Sequence, residues 1–450
     1  MKVTAIFDIG KTNKKCFLFD RELNEVYKEY VSFDELEDDD GYPCDDLPAT
    51  VGWIKNTLDE LRQSGKYELE AINFSAYGAS LVHLDERGNP LTPLYNYTKP
   101  YPSELQEDFY QRYGDPLRVA QETSSPQLGM LNSGLQLYWL KHVKADLFHQ
   151  IRYSLHLPQY FSYVITGHAY SEYTSVGCHT MLWDFTKNDY HRWVAAEGID
   201  RMLAPMVDSG NYEHLSGTTI RVGRGIHDSS AALLPYLRVN EAPFLLLSTG
   251  TWSIAFNPFS HEPLSQEHLR QDCLNFLRTD GKPVRAARLF LGKEYSQQLE
   301  ALASHFEVSA HVHQDVAFSE QWYRSLMSNY TRAFNFKSIR REGYNPASTH
   351  LDRFGSFEEA YHQLMIELVE LQLIAIELAQ GSTPAKKIYL DGGFADNKVF
   401  VALLARELKD IHLTTTQNPL GSALGAALMI SEAELDQQHL TKHFKEASAC

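Results

Sequence analysis

The stretch Asp8-Ile9-Gly10-Lys11-Thr12-Asn13 ends an apolar run with an acid, a glycine and small polar residues, and Lys14 and Lys15 follow at once. Residues of these types in this order suit an anion. A tight turn at Gly10 points backbone N–H groups inward, and Thr12 and Asn13 add side-chain donors. Lys11, Lys14 and Lys15 bring positive charge to a chain of formal charge −17. Asp8, at the strand end, suits a hydrated Mg²⁺ ion, which takes one carboxylate together with waters and phosphate oxygens. A surface hairpin with a lysine-rich tip is the competing reading.

Three further places offer matching chemistry. Thr249-Gly250-Thr251 repeats the pattern of an apolar strand leaving through glycine and threonine, and a triphosphate held between two domains needs donors from both sides. Asp228 follows His227 and opens a run of small residues, Ser229-Ser230-Ala231-Ala232. It reads either as a helix N-cap or as a general base that accepts a proton from a substrate hydroxyl. Phosphoryl transfer asks mainly for positioning and charge neutralisation, so an ordinary carboxylate can serve. Asp391-Gly392-Gly393-Phe394 puts two glycines between a strand and a helix, where bare backbone lets a flat ligand such as adenine lie close; a plain strand-to-helix loop is the alternative. A Walker-type glycine loop is absent from the sequence. His311-Val312-His313 lacks neighbours with metal-ligand spacing, and the acidic run Asp34–Asp40 reads as a solvated loop.

These residues need strands and helices to hold them. Val3 to Asp8 and Cys16 to Asp20 read as a hairpin, and Ala71 to Ser75 as a strand leading into Tyr77-Gly78. Leu131 to Leu147 carries helical spacing, and a second helix follows Asp228. A new buried strand spans Pro243 to Thr249. The domain boundary is therefore placed near residue 240, dividing the chain into 1–240 and 241–450. Ser356 and Glu359 have capping-box spacing before a long helix ending at Ala379. That helix leads to a strand at Lys387 to Leu390, and Gly421 to Ala427 reads as a close-packing helix. The strand–Gly–Thr echo between Ala5–Thr12 and Leu246–Thr251 suggests two related α/β halves sharing a cleft.

At 450 residues, two domains are expected, and 43% hydrophobic against 22% charged content is that of a globular protein. The negative charge argues against nucleic acid or an anionic membrane as main partner. The five cysteines are odd in number and widely spaced, which fits reduced thiols and a cytoplasmic location. The N-terminus shows no signal pattern, and the glutamates of the 364–379 helix exclude a bilayer span.

Taken in order, Asp8–Lys15, Tyr77-Gly78, Gly225-Ile226-His227-Asp228, Ser248–Ser253 and Asp391–Asn397 resemble the FGGY carbohydrate kinase family over nearly the whole chain. Gly250-Thr251-Trp252-Ser253, His227-Asp228 and Ser171-Glu172-Tyr173-Thr174 look most like the rhamnulokinase and fuculokinase branch. The resemblance implies two ribonuclease-H-like domains around a deep cleft, as in hexokinase, actin and the heat-shock ATPases. It implies ATP and Mg²⁺, a cytoplasmic enzyme that is a homodimer in some relatives, and a small ketose as substrate. By it, Gly10, Lys11, Thr12, Asn13 and Lys15 with Thr249, Gly250 and Thr251 grip the phosphates. Gly392, Gly393, Phe394 and Asn397 flank the adenosine. Asp228 matches the catalytic aspartate, Asp8 the acid near magnesium, and Tyr77, Gly78 and His227 the sugar contacts. Two departures stand out: Lys11 replaces a small residue, and Tyr97-Thr98-Lys99-Pro100-Tyr101 stands where relatives carry an Arg-Asp-x-Arg segment. A deoxy-ketose of the rhamnulose or fuculose type is the expected substrate. A pentulose, a polyol or an aldose is the alternative within the enzyme class, and an actin-like or sugar-sensing protein without catalysis the alternative outside it.

Overall fold

The computed structural model describes residues 1–240, 242–309, 311–339, 344–416 and 421–431. Cys450 lies outside them. The opening hairpin forms as expected from its two apolar runs: β1 (Lys2–Ile9) pairs antiparallel with β2 (Lys14–Phe19), which pairs with β3 (Glu25–Val31). On its other side β1 runs parallel to β4 (Glu68–Ala76). The short strands β5 (Tyr212–His214), β6 (Arg221–Gly223) and β7 (Ile226–His227) complete the sheet, β6 and β7 both lying parallel to β4. Among the described residues this sheet has seven strands.

The second sheet repeats the plan. β8 (Leu245–Thr249) is antiparallel to β9 (Ser253–Asn257), which pairs with β11 (Pro283–Leu289), itself paired to β10 (Cys273–Leu277). Beyond β8 lie two parallel strands, β12 (Lys387–Gly392) and β13 (His412–Thr415). The spatial orders β3-β2-β1-β4-β6 and β11-β9-β8-β12-β13 are therefore the same path, with the same parallel and antiparallel steps. The strand–Gly–Thr echo marks the first hairpin of each copy.

Helices cover both faces of the first sheet, which is why its strands read as unbroken apolar runs and not as alternation. Val3, Ala5, Phe7 and Ile9 pack towards α1 (Leu47–Gln63) and α3 (Leu157–Thr166). Ile6 and Phe17 face the other way, into a cluster with α4 (Asp228–Val239) and α8 (Gly421–Ile430). Although α8 comes from the far end of the chain, it lies on the first sheet: Asn73 Nδ2 of β4 donates to Ala426 O at 2.8 Å. Gly425 permits the contact, because a Cβ there would sit 1.8 Å from Ala231 O of α4. The second sheet is covered by α5 (Leu291–His305), α6 (Phe357–Gln380) and α7 (Lys398–Glu407).

Three local expectations change. The helix expected through Leu147 is α2 (Ser133–Val143), broken at Lys144, whose Nζ reaches Asp39 and Asp40. The acidic run is correspondingly anchored and not freely solvated: buried Asp38 accepts from the backbone N–H groups of Asp40 and Tyr42 and from Lys99. At the start of α6, Ser356 caps Glu359 N, but the Glu359 carboxylate takes Gly355 N in place of Ser356 N. Among the described residues, no helix is long and apolar enough to cross a membrane.

Candidate active site

The parallel strands β1, β4 and β7 end at one edge of the first sheet, and their ends carry the chemistry. In register, Asp8 lies opposite Lys15 on one side and Ser75 on the other, and His227 lies opposite Ala76. The turn between β1 and β2 is closed by Gly10 N donating to Asn13 O at 3.0 Å; a Cβ at Gly10 would lie 2.9 Å from that oxygen. Thr12 and Asn13 are exposed at its tip. Asp8 is buried, which raises its pKa; Lys15, 3.7 Å away, opposes the shift, and the charge of Asp228 adds to it.

The lysines divide between two carboxylates. Lys15 faces Asp8, whereas Lys11 Nζ donates to Asp45 Oδ2 at 2.8 Å and Lys14 Nζ lies 3.6 Å from Asp45 Oδ1. The Tyr77 hydroxyl also donates to Asp45. Burial and then the Asp45 charge hold that phenol well above its ordinary pKa. Gly78 lies against the imidazole of His227, where a Cβ would come within 3.0 Å of Cδ2 and Nε2.

His227 is buried, and burial lowers its pKa against the opposing charge of Asp228. Its Nε2 is 3.3 Å from Asp228 Oδ1 and 3.4 Å from Cys178 Sγ. Its backbone N–H donates to Thr174 Oγ1, whose hydroxyl in turn donates to the fully buried Glu172. Asp228 is the first residue of α4, not its cap; Oδ1 accepts from Ser229 N, and a third of the side chain remains exposed to the cleft. The opposite wall comes from the second sheet. Phe276 packs its ring 6.0 Å from that of His227, and Arg288, held by Asp272, places its charge near Cys178 and His179. Trp252 stacks on Phe290 at 4.1 Å beside it.

The second half of the chain holds a cavity of about 730 Å³, within the size range of ligand pockets. Gly250, Thr251, Gly393, Phe394 and Asn397 line it, together with Gly292, Lys293, Tyr295 and His313. An added Cβ at Gly393 would meet no protein atom within 4 Å, so bare backbone there serves the cavity and not the packing. Buried Thr249 and exposed Gly392 stand next to its lining residues without lining it. Thr249 Oγ1 donates to Asp391 O and accepts from Phe394 N, while a Cβ at Gly392, whose φ is +88°, would sit 1.8 Å from Thr249 O. Asn397 caps α7 through Phe400 N and donates to Tyr361. The two sites are mechanically joined: Tyr236, on the helix that Asp228 opens, contacts Asp391 Oδ2 at 3.3 Å, next to the glycine pair.

The comparisons with known proteins agree with the architecture of two α/β halves. Residues 3–229 match the N-terminal domain of the FGGY family of carbohydrate kinases, and residues 241–439 match the carbohydrate kinase FGGY C-terminal domain. The chain belongs to the FGGY family of carbohydrate kinases. A rhamnulokinase from Halalkalibacterium halodurans is 26% identical over 258 residues, 55% of this chain and 52% of that relative, so the match spans about half of the relative's length. A carbohydrate kinase from Novosphingobium aromaticivorans superposes with a TM-score of 0.76 at 24% identity, covering 98% of this FGGY chain and 99% of that one. A ligand-bound xylulose kinase from Lactobacillus acidophilus gives 0.78 at 14% identity, covering 100% and 93%. These likenesses show that the two-domain α/β fold is the family's.

Several residues of this FGGY site escaped the sequence reading. Asp45 sits in a run of acids without a motif, and its role appears only when folding brings Lys11, Lys14 and Tyr77 to it. Gly292 and Lys293 open α5 against Thr251, where a Cβ at Gly292 would lie 2.0 Å from Gly250 O; a single glycine before a helix gives no such signal. His313 lines the nucleotide-sized cavity. Among the described residues, the grouping able to hold a metal through three acidic, histidine or cysteine side chains is Asp38, Asp39 and Asp40, already engaged by Lys99 and Lys144.

Proposed function

We propose that this chain is an ATP- and Mg²⁺-dependent kinase that phosphorylates a small ketose, a deoxy-ketose of the rhamnulose or fuculose type. The observation that carries the reading is the convergence of two carboxylates, Asp8 and Asp228, at one sheet edge, with Asp228 beside a buried His227 whose pKa burial lowers. Residues 1–240 hold the sugar at Tyr77, Gly78 and His227, and residues 241–450 hold ATP, except that α8 returns to the first sheet. The rhamnulokinase match supports the deoxy-ketose, and the four free, buried cysteines among the described residues support a cytoplasmic setting.

The cavity fits a nucleotide in size and in the open space over Gly393. Phe394 and Asn397 then flank the adenosine, and Gly250 and Thr251 meet the phosphates. Gly10, Thr12, Asn13 and Lys15 approach them from the first domain. Asp8 fits a hydrated metal ion: it faces the cleft edge with one cation, Lys15, at 3.7 Å and not in a tight pair. Bound there, Mg²⁺ neutralises charge on the transferring phosphate. In the reaction, a sugar hydroxyl oxygen bonds to the γ-phosphorus, the bond from that phosphorus to the bridging oxygen of ADP breaks, and Asp228 accepts the hydroxyl proton. Closure of the two domains excludes water, which would otherwise take the phosphoryl group.

The test is coupled ADP release with rhamnulose, fuculose, xylulose, ribulose, fructose and glycerol. Turnover with a deoxy-ketose at the highest kcat/KM supports the reading. Preference for xylulose or glycerol reassigns the substrate. Sugar binding without ADP release, or ATP-dependent sedimentable polymer, overturns the kinase.

A further inference from the structure

We infer that Lys11 is a sugar-binding residue, which together with Asp45 holds two adjacent hydroxyls of the substrate, and that it does not contact the phosphates. The inference rests on the kinase reading and gives Lys11 a role within it. From the hairpin tip the Lys11 side chain turns into the first domain. Its Nζ donates to Asp45 at 2.8 Å, lies 3.5 Å from Glu35 and stands 5.9 Å from the centre of the Tyr97 ring. Asp45 is largely buried and also takes the hydroxyl of Tyr77, a residue already on the sugar side. Tyr97 packs edge-on against Tyr77, with ring centres 6.0 Å apart. Burial raises the Tyr97 pKa, and the charges of Asp228 and Asp45 add to the shift, so its hydroxyl lies within the field of both carboxylates.

Lys11, Asp45, Tyr77, Tyr97 and Asp228 thus form a wall that ends at the proposed base. The Lys11 ammonium is held in this cluster by Asp45 and Glu35, whereas the Lys15 ammonium of the same hairpin faces Asp8. An ammonium carries three donors, and a carboxylate keeps acceptor positions beyond those used here. A Lys–Asp pair fixed side by side can donate to one hydroxyl oxygen and accept from the next. That arrangement discriminates strongly, because a sugar lacking either hydroxyl leaves one member of a partly buried pair unmatched. The division of labour leaves Lys15, beside Asp8, as the hairpin's phosphate-side cation.

The test is steady-state kinetics of Lys11→Met and Lys11→Arg, with sugar and ATP varied separately and with monodeoxy analogues of the preferred sugar. Lys11→Met is expected to raise the sugar KM tenfold or more while the ATP KM stays within twofold, and Lys11→Arg to recover part of the loss. The preference of the parent enzyme for the sugar over one monodeoxy analogue should collapse in Lys11→Met and return in part in Lys11→Arg, a readout that a general loss of stability does not produce. A rise in ATP KM with an unchanged sugar KM, or an unchanged preference in Lys11→Met, overturns the inference and leaves the kinase reading standing. Absence of turnover by the parent enzyme with every sugar overturns both.

Discussion

His227 Nε2 lies 3.3 Å from Asp228 Oδ1, in a pocket where burial keeps the imidazole below its ordinary pKa. A neutral ring at this position can orient the carboxylate without placing a second full charge beside it. The consequence is a pH profile. Because burial lowers the folded-state pKa of His227 below the ordinary histidine value of 6.5, the ring stays less than half protonated down to pH 6.5. The kcat/KM for sugar should therefore lose less than twofold between pH 8 and 6.5 through any limb that disappears in His227→Gln. A limb near or above 6.5 that the substitution removes would show a charged imidazole and contradict this account.

Neighbouring glycines at the nucleotide cavity should fail in different ways. Gly392 has φ +88° and no room for a Cβ against Thr249 O, so Gly392→Ala should lower the melting temperature and the yield of folded protein. At Gly393 the space is open, so Gly393→Val should melt close to the parent while its ATP KM rises tenfold or more. Thermal melts and ATP kinetics on the pair check this. A Gly393→Val enzyme with normal ATP KM would mean that the nucleotide does not lie over this backbone.

Glu367 provides a stability test remote from the site. Burial on α6 pushes its carboxyl up to about 7, even though it accepts from Ala333 N, Phe334 N and Gln363. A folded-state pKa above the unfolded value of 4.5 means stability fully present below about pH 4.5 and lost as pH rises through about 7. The shift corresponds to roughly 3 kcal/mol. The unfolding free energy of the parent should fall relative to that of Glu367→Gln across that range, measured by denaturant titration at pH 4.5, 6 and 7.5. A constant difference would place the carboxyl's pKa at its ordinary value.

Much of this was legible in the sequence because it is local. The β1–β2 hairpin, the strand into Gly250 and the helix after Asp228 each follow from a short run of apolar residues and a turn. Their strand–Gly–Thr echo anticipated two sheets with one path. What the sequence hid is what depends on distant pairing. Asp45 and Lys11 are 34 residues apart, and nothing in either neighbourhood announces the contact. Gly392 reads as a ligand contact, yet its missing Cβ is also required by the backbone of Thr249, because a glycine required by a close backbone approach and one required by a ligand look alike in a sequence. The contact of Lys144, at the break of α2, with acids a hundred residues away is likewise unannounced.

The central claim is that Asp228 takes the proton while the second domain delivers the phosphate. The most direct measurement is single-turnover formation of the sugar phosphate, followed by ³¹P NMR with the parent and Asp228→Asn, alongside ATP affinity for each. A positioned general base is worth about 10²–10⁴ in rate. The account predicts a new phosphate ester and ADP from the parent, a loss of at least a hundredfold in Asp228→Asn, and ATP affinity unchanged within twofold. Ester formation by Asp228→Asn within tenfold of the parent rate would contradict it.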